Sequence, residues 1–317
     1  MAHRLSDLRE LVPRDSRGLS LSLTRLSAAL LLAGIAGGVL YDPTPARPEI
    51  HRGGYRVLEG DFHVHTTLSD GSLTPLGVVR QAERRGLDVI ALTEHNSARP
   101  GAIARGWAHF RGGDTPIVLQ GEEITSKHFH LIAVGIHDTV SPSQPLEDVI
   151  AEVHRQHGIA IAAHPVKRYW AAYEPVRGTL DGAEVMHPLA YASGFGWRWE
   201  DIRSFYERNQ TTLMPIGSSD YHWGSILGLC RTYVFVTSAT EDGVMEALHA
   251  HRTVVIDREG KTYGDPALTA LVVADPIPPR AVDYRYRGEG AGDRILRVLG
   301  FLGLVGLVVI GKKRARV

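Results

Sequence analysis

The chain has a single cysteine, Cys230, in 317 residues. That excludes an internal disulfide and any metal cluster built on thiolates. It has no excess of charge of either sign, with 35 Lys and Arg against 35 Asp and Glu. Proteins that hold a phosphate backbone carry a net basic surface, so nucleic acid is not an expected partner. Lysine is scarce: Lys127, Lys167, Lys261, Lys312 and Lys313 are all there is. Internal repeats and low-complexity linkers are absent. What the chain does have is histidine, 16 residues of it, in an otherwise ordinary globular composition of 44% hydrophobic and 22% charged residues. A metal site here is built from imidazole and carboxylate.

The two ends differ from the middle. Residues 26–41 carry no charge and follow Arg14, Arg17 and Arg25; residues 298–311 form a second uncharged run, followed by Lys312, Lys313, Arg314 and Arg316. A helix needs about 20 apolar residues to cross a bilayer, with about 17 as the short limit. Both runs are shorter, and each needs the methylenes of Arg25 or Arg297 to extend it. The long leader and the lack of a small-x-small site argue against a cleaved signal peptide. Apolar residues all round the second run argue against a buried amphipathic helix. Both ends are therefore expected to be transmembrane anchors. Basic outer flanks place both termini in the cytoplasm and the intervening domain outside the cell membrane, although Arg294 and Arg297 lie on the opposing flank. Gly34 and Gly38 form a GxxxG on which the anchors can pack. The expected organisation is a basic segment 1–25, an anchor 26–41, a globular domain 42–294, an anchor 295–311 and a basic tail 312–317.

Between the anchors, short apolar runs alternate with helical patterns. Strands are expected at 58–66, 87–93, 117–120, 131–134, 159–163, 183–186 and 213–216. Thr74-Pro75 reads as an N-cap with proline in the first turn, opening a helix that Gly86 stops. Further helices are expected at 145–157 and 200–209. Alternating strands and helices imply a mostly parallel sheet, open or closed into a barrel.

Polar residues cluster at the strand ends. His63 and His65 end the first strand, Glu94-His95 the second, and Glu122-Glu123 the third. His128 and His130 introduce the next, His164 ends another, and Asp220 and His222 follow the last. The carboxyl edge of a parallel α/β sheet is where active sites are built. His63 and His65 are two apart on a strand, so they share a face. Imidazole and carboxylate ligands suit Zn²⁺, Mn²⁺ or Fe²⁺. A pair of such cations can clamp the attacking and leaving oxygens of a hydrolytic displacement, with water as nucleophile, so neither serine nor cysteine is required.

The motifs DFHVHTTLSDG (61–71), GLDVIALTEHN (86–96), GEEIT (121–125), HLIAVG (130–135), AAHP (162–165) and GSSDYH (217–222) resemble, in this order, the PHP (polymerase and histidinol phosphatase) family of metal-dependent hydrolases. The resemblance covers roughly 58–266, and residues 232–265 are similar to the tail of its carbaryl-hydrolase-like branch. It implies a distorted (β/α)7 barrel holding two or three divalent metal ions (Zn, Mn or Fe). Carried over by motif, His63, His65, Glu123 and Asp220 hold the first metal, and Glu123 bridges to a second shared with His130 and His164. Asp70, His95 and His222 complete a third position. The family's TDH is Thr93-Glu94-His95 here, so Glu94 either orients His95 or ligates directly. The G-x-E spacing selects Glu123 over Glu122.

A phosphate substrate needs positive charge beyond the metals. Lys167 and Arg168 follow His164-Pro165, and the guanidinium of Arg168 matches phosphate oxygens bidentately. The expected activity is hydrolysis of a small phosphate mono- or diester, with Arg168 meeting the phosphate and Asp220 or a neighbouring histidine such as His222 handling the proton. The branch resemblance and the scarcity of lysine leave a carboxylic-ester or carbamate hydrolase as the alternative. A non-catalytic metal-dependent binding module would have lost ligand residues, and every motif keeps them. His128, His137, His154, His157 and His187 are left as structural or surface residues, with His128 also placed to support the ligands from behind. Tyr169, Trp170, Tyr173, Trp197 and Trp199 either wall the substrate site or cover the barrel mouth.

Overall fold

The computed structural model describes residues 15–40, 48–113, 115–192, 196–223, 225–277 and 291–314. In chain order its elements begin α1 (Asp15–Leu40), β1 (Ile50–Arg52), β2 (Tyr55–Val64), α2 (Pro75–Arg84), β3 (Val89–Leu92), α3 (Arg99–Arg111) and β4 (Ile117–Thr125). They continue β5 (His130–Val134), α4 (Leu146–Arg155), β6 (Ile159–Ala162), α5 (Lys167–Tyr173), β7 (Gly182–Met186), α6 (Trp199–Asn209) and β8 (Met214–Gly217). The remainder is β9 (Thr232–Val236), α7 (Glu241–His249), β10 (Thr253–Ile256), β11 (Thr262–Gly264), α8 (Pro266–Ala274) and α9 (Ala291–Arg314). The chain divides into two units, one made by both ends (1–45 with 285–317) and one spanning 46–284.

In the larger unit the strand order is β11-β10-β9-β2-β3-β4-β5-β6-β7-β8. β2, β3 and β4 run parallel, as do β6, β7 and β8. The far ends of this order are tied together: Gly217 N donates to Thr232 Oγ1 at 2.9 Å and Thr253 Oγ1 to Pro215 O at 3.0 Å. The result is an α/β barrel-like fold. Its strands read as continuous apolar runs because both faces are covered; β3 and β6 are buried at every position.

Local signals set several boundaries as expected. Thr74 caps α2, its Oγ1 accepting from Gly77 N at 3.1 Å, with Pro75 in the first turn. Gly86 follows that helix at φ +67°, a conformation that costs glycine little. The barrel departs from uniform β/α alternation at β5, which is antiparallel to both β4 and β6. Only residues 126–129 separate β4 from β5, and a parallel crossover needs a dozen or more. The reversal matters for function. It brings the start of β5, where His130 sits, to the edge at which the parallel strands end.

The terminal runs do form helices, α1 and α9, and these pack on each other. A Cβ on Gly34 would meet Gly300 Cα at 2.5 Å, and one on Gly303 would meet Ser27 O at 2.5 Å. Along the seam Gly300 of α9 faces Gly34, and Gly303 faces Ser27 and Leu31. The transmembrane expectation is not supported: among the described residues no helix is long and apolar enough to cross a membrane. At about 1.5 Å per residue the uncharged runs reach roughly 24 Å and 21 Å, short of the roughly 30 Å hydrocarbon core. Residues 1–14, 41–47 and 315–317, which hold much of the expected basic flanks, lie outside the described residues.

Candidate metal centre

The carboxyl ends of β2, β3, β4, β6 and β8, with the start of β5, converge on one cluster of imidazoles and carboxylates. His63 and His65 emerge on the same face of β2 and just beyond it, and both are fully buried. Glu123, near the end of β4, is the hub. Its Oε1 accepts from His130 Nδ1 at 2.8 Å and lies 3.1 Å from His164 Nε2. Its Oε2 faces His63 Nε2 at 3.5 Å, His65 Nε2 at 3.6 Å and His95 Nδ1 at 2.8 Å. Asp220 Oδ1 closes the ring, 3.2 Å from His63 Nε2 and 3.6 Å from His65 Nε2. His63 Nε2, His65 Nε2, His164 Nδ1 and Asp220 Oδ1 are buried and make no hydrogen bond. Buried polar atoms are normally paired, and a divalent cation would satisfy several of these at once.

A second group opens outward from His65. Asp70 Oδ2 is 3.3 Å from His95 Nε2, and its Oδ1 is 3.3 Å from His222 Nε2 and 3.7 Å from His65 Nδ1. His65, Asp70, His95 and His222 each offer an atom within 4.8 Å of the others, as do His63, His65 and Asp220, and His63, Glu123 and His164. His63, His65, Asp70, His95, Glu123, His130, His164, Asp220 and His222 therefore come together in the cluster. Glu94 does not face it. Its carboxylate accepts from the hydroxyls of Thr66 and Ser69 and so braces the turn that carries His65 and Asp70. Glu122, on the opposite strand face, accepts from Val140 N at 2.5 Å, and burial pushes its carboxyl up to about 7.

Backbone strain concentrates here. His164 and Asp220 adopt φ of +25° and +43°, a region costly for non-glycine residues and frequent at functional sites. Asp61 holds the loop that carries Asp220: it accepts from Ser219 N and Gly228 N, each at 2.9 Å, and from the Ser219 hydroxyl. Burial outweighs those donors and raises its pKa to about 6.

The charges are mutually dependent. Burial alone would neutralise His63, but the carboxylates of Asp220, Glu123 and Glu184 overcome it and hold its pKa well above the ordinary value. Burial would likewise raise Glu123 and Asp220; the His63 charge and histidine hydrogen bonds keep both well below the ordinary range. Burial dominates at His65 and His130, whose pKa values are lowered. Neutral imidazoles and ionised carboxylates are the forms that ligate.

The aromatic segment sorts into two roles. Tyr169 stacks on His130 at 5.0 Å and Trp197 lies against His164 at 5.1 Å, so these two wall the cluster. Tyr173, Trp170 and Trp199 are structural: they donate to His130 O, Pro165 O and Val185 O. Arg168 lies over that wall, its guanidinium carbon 4.6 Å from the Tyr169 ring centre and 5.5 Å from that of Trp197. Lys167 lies 3.7 Å from Asp201.

No family model matches the chain. A two-domain protein from Bacteroides vulgatus, described as containing a predicted PHP-like metal-dependent phosphoesterase, superposes with a TM-score of 0.55 at 26% identity, over 73% of this chain and 74% of that one. The 3',5'-nucleoside bisphosphate phosphatase of Chromobacterium violaceum is 26% identical over 177 residues, 52% of this chain and 59% of that protein. The phosphoribosyl 1,2-cyclic phosphate 1,2-diphosphodiesterase of Eggerthella lenta is 32% identical over 84 residues, 25% of this chain and 31% of that protein. The chain is a metal-dependent hydrolase. It spans less than two thirds of the length of these two relatives.

Two residues of the hydrolase's site escaped the sequence reading. Glu184, fully buried on β7, lies 3.0 Å from His63 Nδ1. The signal was present: one carboxylate inside an otherwise apolar strand. His187, expected to be structural or on the surface, is buried with its Nε2 3.2 Å from Asp220 Oδ2. Its Nδ1 accepts from Leu189 N at 3.2 Å, so the proton sits on Nε2 and is donated to Asp220.

Proposed function

We propose that the hydrolase cleaves a phosphate mono- or diester of a small molecule, using two or three divalent cations held by His63, His65, Asp70, His95, Glu123, His130, His164, Asp220 and His222. The observation that carries this is the set of buried, unpaired ligand atoms converging between Glu123 and Asp220. The imidazole and carboxylate donors suit Zn, Mn or Fe and would leave soft monovalent copper poorly held. When bound, such cations polarise the ester and lower the pKa of the attacking water.

The remaining work falls to the chain. Arg168, one aromatic layer above His130, binds the non-bridging oxygens of the ester, where its planar fork fits two of them. Tyr169 and Trp197 exclude water behind His130 and His164. Asp220 is oriented by His187, which occupies Oδ2 and leaves Oδ1 toward the cluster. His222 donates from Nδ1 to Asp220 O at 2.9 Å, so in its neutral form Nε2 carries the lone pair that a cation would take. Asp220, or a neighbouring histidine that holds no cation, takes the proton of the attacking water and returns it to the leaving oxygen.

A carboxylic-ester reading has one observation behind it: with Lys167 beside Asp201, Arg168 is the one cation at the aromatic wall among the described residues. The test is side-by-side hydrolysis of a chromogenic phosphomonoester, a phosphodiester and a carboxylic ester, with chelated enzyme, readdition of Mn²⁺ or Zn²⁺, and His63→Ala. Phosphate-ester turnover that follows the metal and is lost in the variant supports the proposal. Turnover of the carboxylic ester alone overturns it.

A further inference from the structure

We propose that Glu184 is a positioning residue that fixes the tautomer of His63, keeping the proton on Nδ1 so that the Nε2 lone pair faces the metal cluster. The inference rests on the metal-centre reading above and adds to it a residue that touches neither substrate nor metal.

Three donors meet the Glu184 carboxylate at the centre of the barrel. Oε1 takes the Ser218 hydroxyl and lies 3.0 Å from His63 Nδ1, and Oε2 takes the backbone N–H of His164 at 2.5 Å. These come from three segments that carry cluster residues: the end of β2, the loop after β6 and the loop after β8. The His164 bond also pins a residue whose backbone is at φ +25°. An ionised carboxylate can only accept, so each of the three neighbours is obliged to donate. For His63 that obligation settles the tautomer: Nδ1 carries hydrogen, and Nε2, which makes no hydrogen bond, is directed at Glu123 and Asp220. Carboxylates behind metal-binding imidazoles commonly act this way.

The arrangement makes Glu184→Gln an informative variant. The backbone N–H of His164 cannot reverse, so it requires the amide oxygen at the Oε2 position. The amide NH₂ then lies where Oε1 was. Ser218 can rotate its hydroxyl and accept, but His63 Nδ1 can accept only by giving up its proton, which moves the hydrogen to Nε2. Shape and hydrogen-bond number are kept while the lone pair facing the cluster is lost.

The experiment titrates Mn²⁺, and separately Zn²⁺, into chelated full-length wild type and Glu184→Gln by calorimetry, alongside the thermal midpoint of each metal-free protein. The expected result is a weakening of the tightest binding step by about 10–100-fold with a metal-free midpoint close to wild type. Equal affinity and stoichiometry in the two proteins overturn the proposal and leave the metal centre intact. Absence of binding by wild type overturns the metal centre itself. Where the variant does not fold, ¹⁵N NMR of the wild-type zinc form decides. Hydrogen on Nδ1 of His63 supports the proposal, and hydrogen on Nε2, or metal on Nδ1, overturns it.

Discussion

At the scale of single residues, the centre is governed by how His63 is charged. Asp220, Glu123 and Glu184 overcome burial and hold the metal-free imidazole in its protonated form well above its ordinary pKa. A group whose pKa rises on folding stabilises the fold fully below its unfolded value near 6.5, and that contribution is lost as pH rises through the folded value. The metal-free protein is therefore expected to lose this contribution toward high pH. Cation affinity follows the opposite course, because the metal competes with the His63 proton. Calorimetry of Mn²⁺ binding in buffers of different ionisation enthalpy should show net proton release at neutral pH and weaker binding as pH falls. Binding with no proton release would contradict the charge state assigned to His63.

At the scale of elements, much of the site was legible because its ligands lie within a few residues of strand ends that sequence periodicity marks. His63 and His65 share a strand face, and Glu123 follows a continuous apolar run. What the sequence did not show is what depends on contacts between distant segments. Glu184 and His187 acquire their roles only when β7 is laid beside β6 and β8, and the direction of β5 follows from the shortness of the 126–129 turn. Arg168 and Lys167 are adjacent in sequence, yet one lies over Tyr169 and the other beside Asp201, a choice the first turn of α5 makes. The β4–β5 pairing can be tested. A Cβ on Gly121 would meet Ala133 O at 2.3 Å, wedging apart the strands that seat Glu123 and His130. Gly121→Ala is expected to cost about 1–3 kcal/mol in denaturant unfolding of the metal-free protein and to weaken metal binding with it. A variant as stable as wild type would show that β4 and β5 are not paired in this register.

At the scale of the whole molecule, the cluster and every residue assigned to it belong to the 46–284 unit, which has its own core; Leu58, Phe62, Ile132, Ile161 and Ile216 are all buried there. The other unit, α1 with α9, leaves Leu32, Ile35, Phe301 and Leu302 exposed. Clustered exposed apolar side chains favour association. Residues 46–284 expressed alone are expected to unfold cooperatively, bind the same number of metals as the full chain and aggregate less. Loss of metal binding in that piece, with its fold retained, would show that the terminal helices take part in the centre. The central claim is that the imidazoles and carboxylates around Glu123 hold divalent cations. Its most direct test is anomalous diffraction from crystals grown with Mn²⁺ or Zn²⁺, collected on either side of the metal's absorption edge. The account predicts two or three peaks, each about 2.0–2.2 Å from imidazole nitrogens and carboxylate oxygens, among His63, His65, Glu123 and Asp220, beside His130 and His164, and beside His95 and His222. Peaks elsewhere on the protein, with none in this cluster, would contradict it.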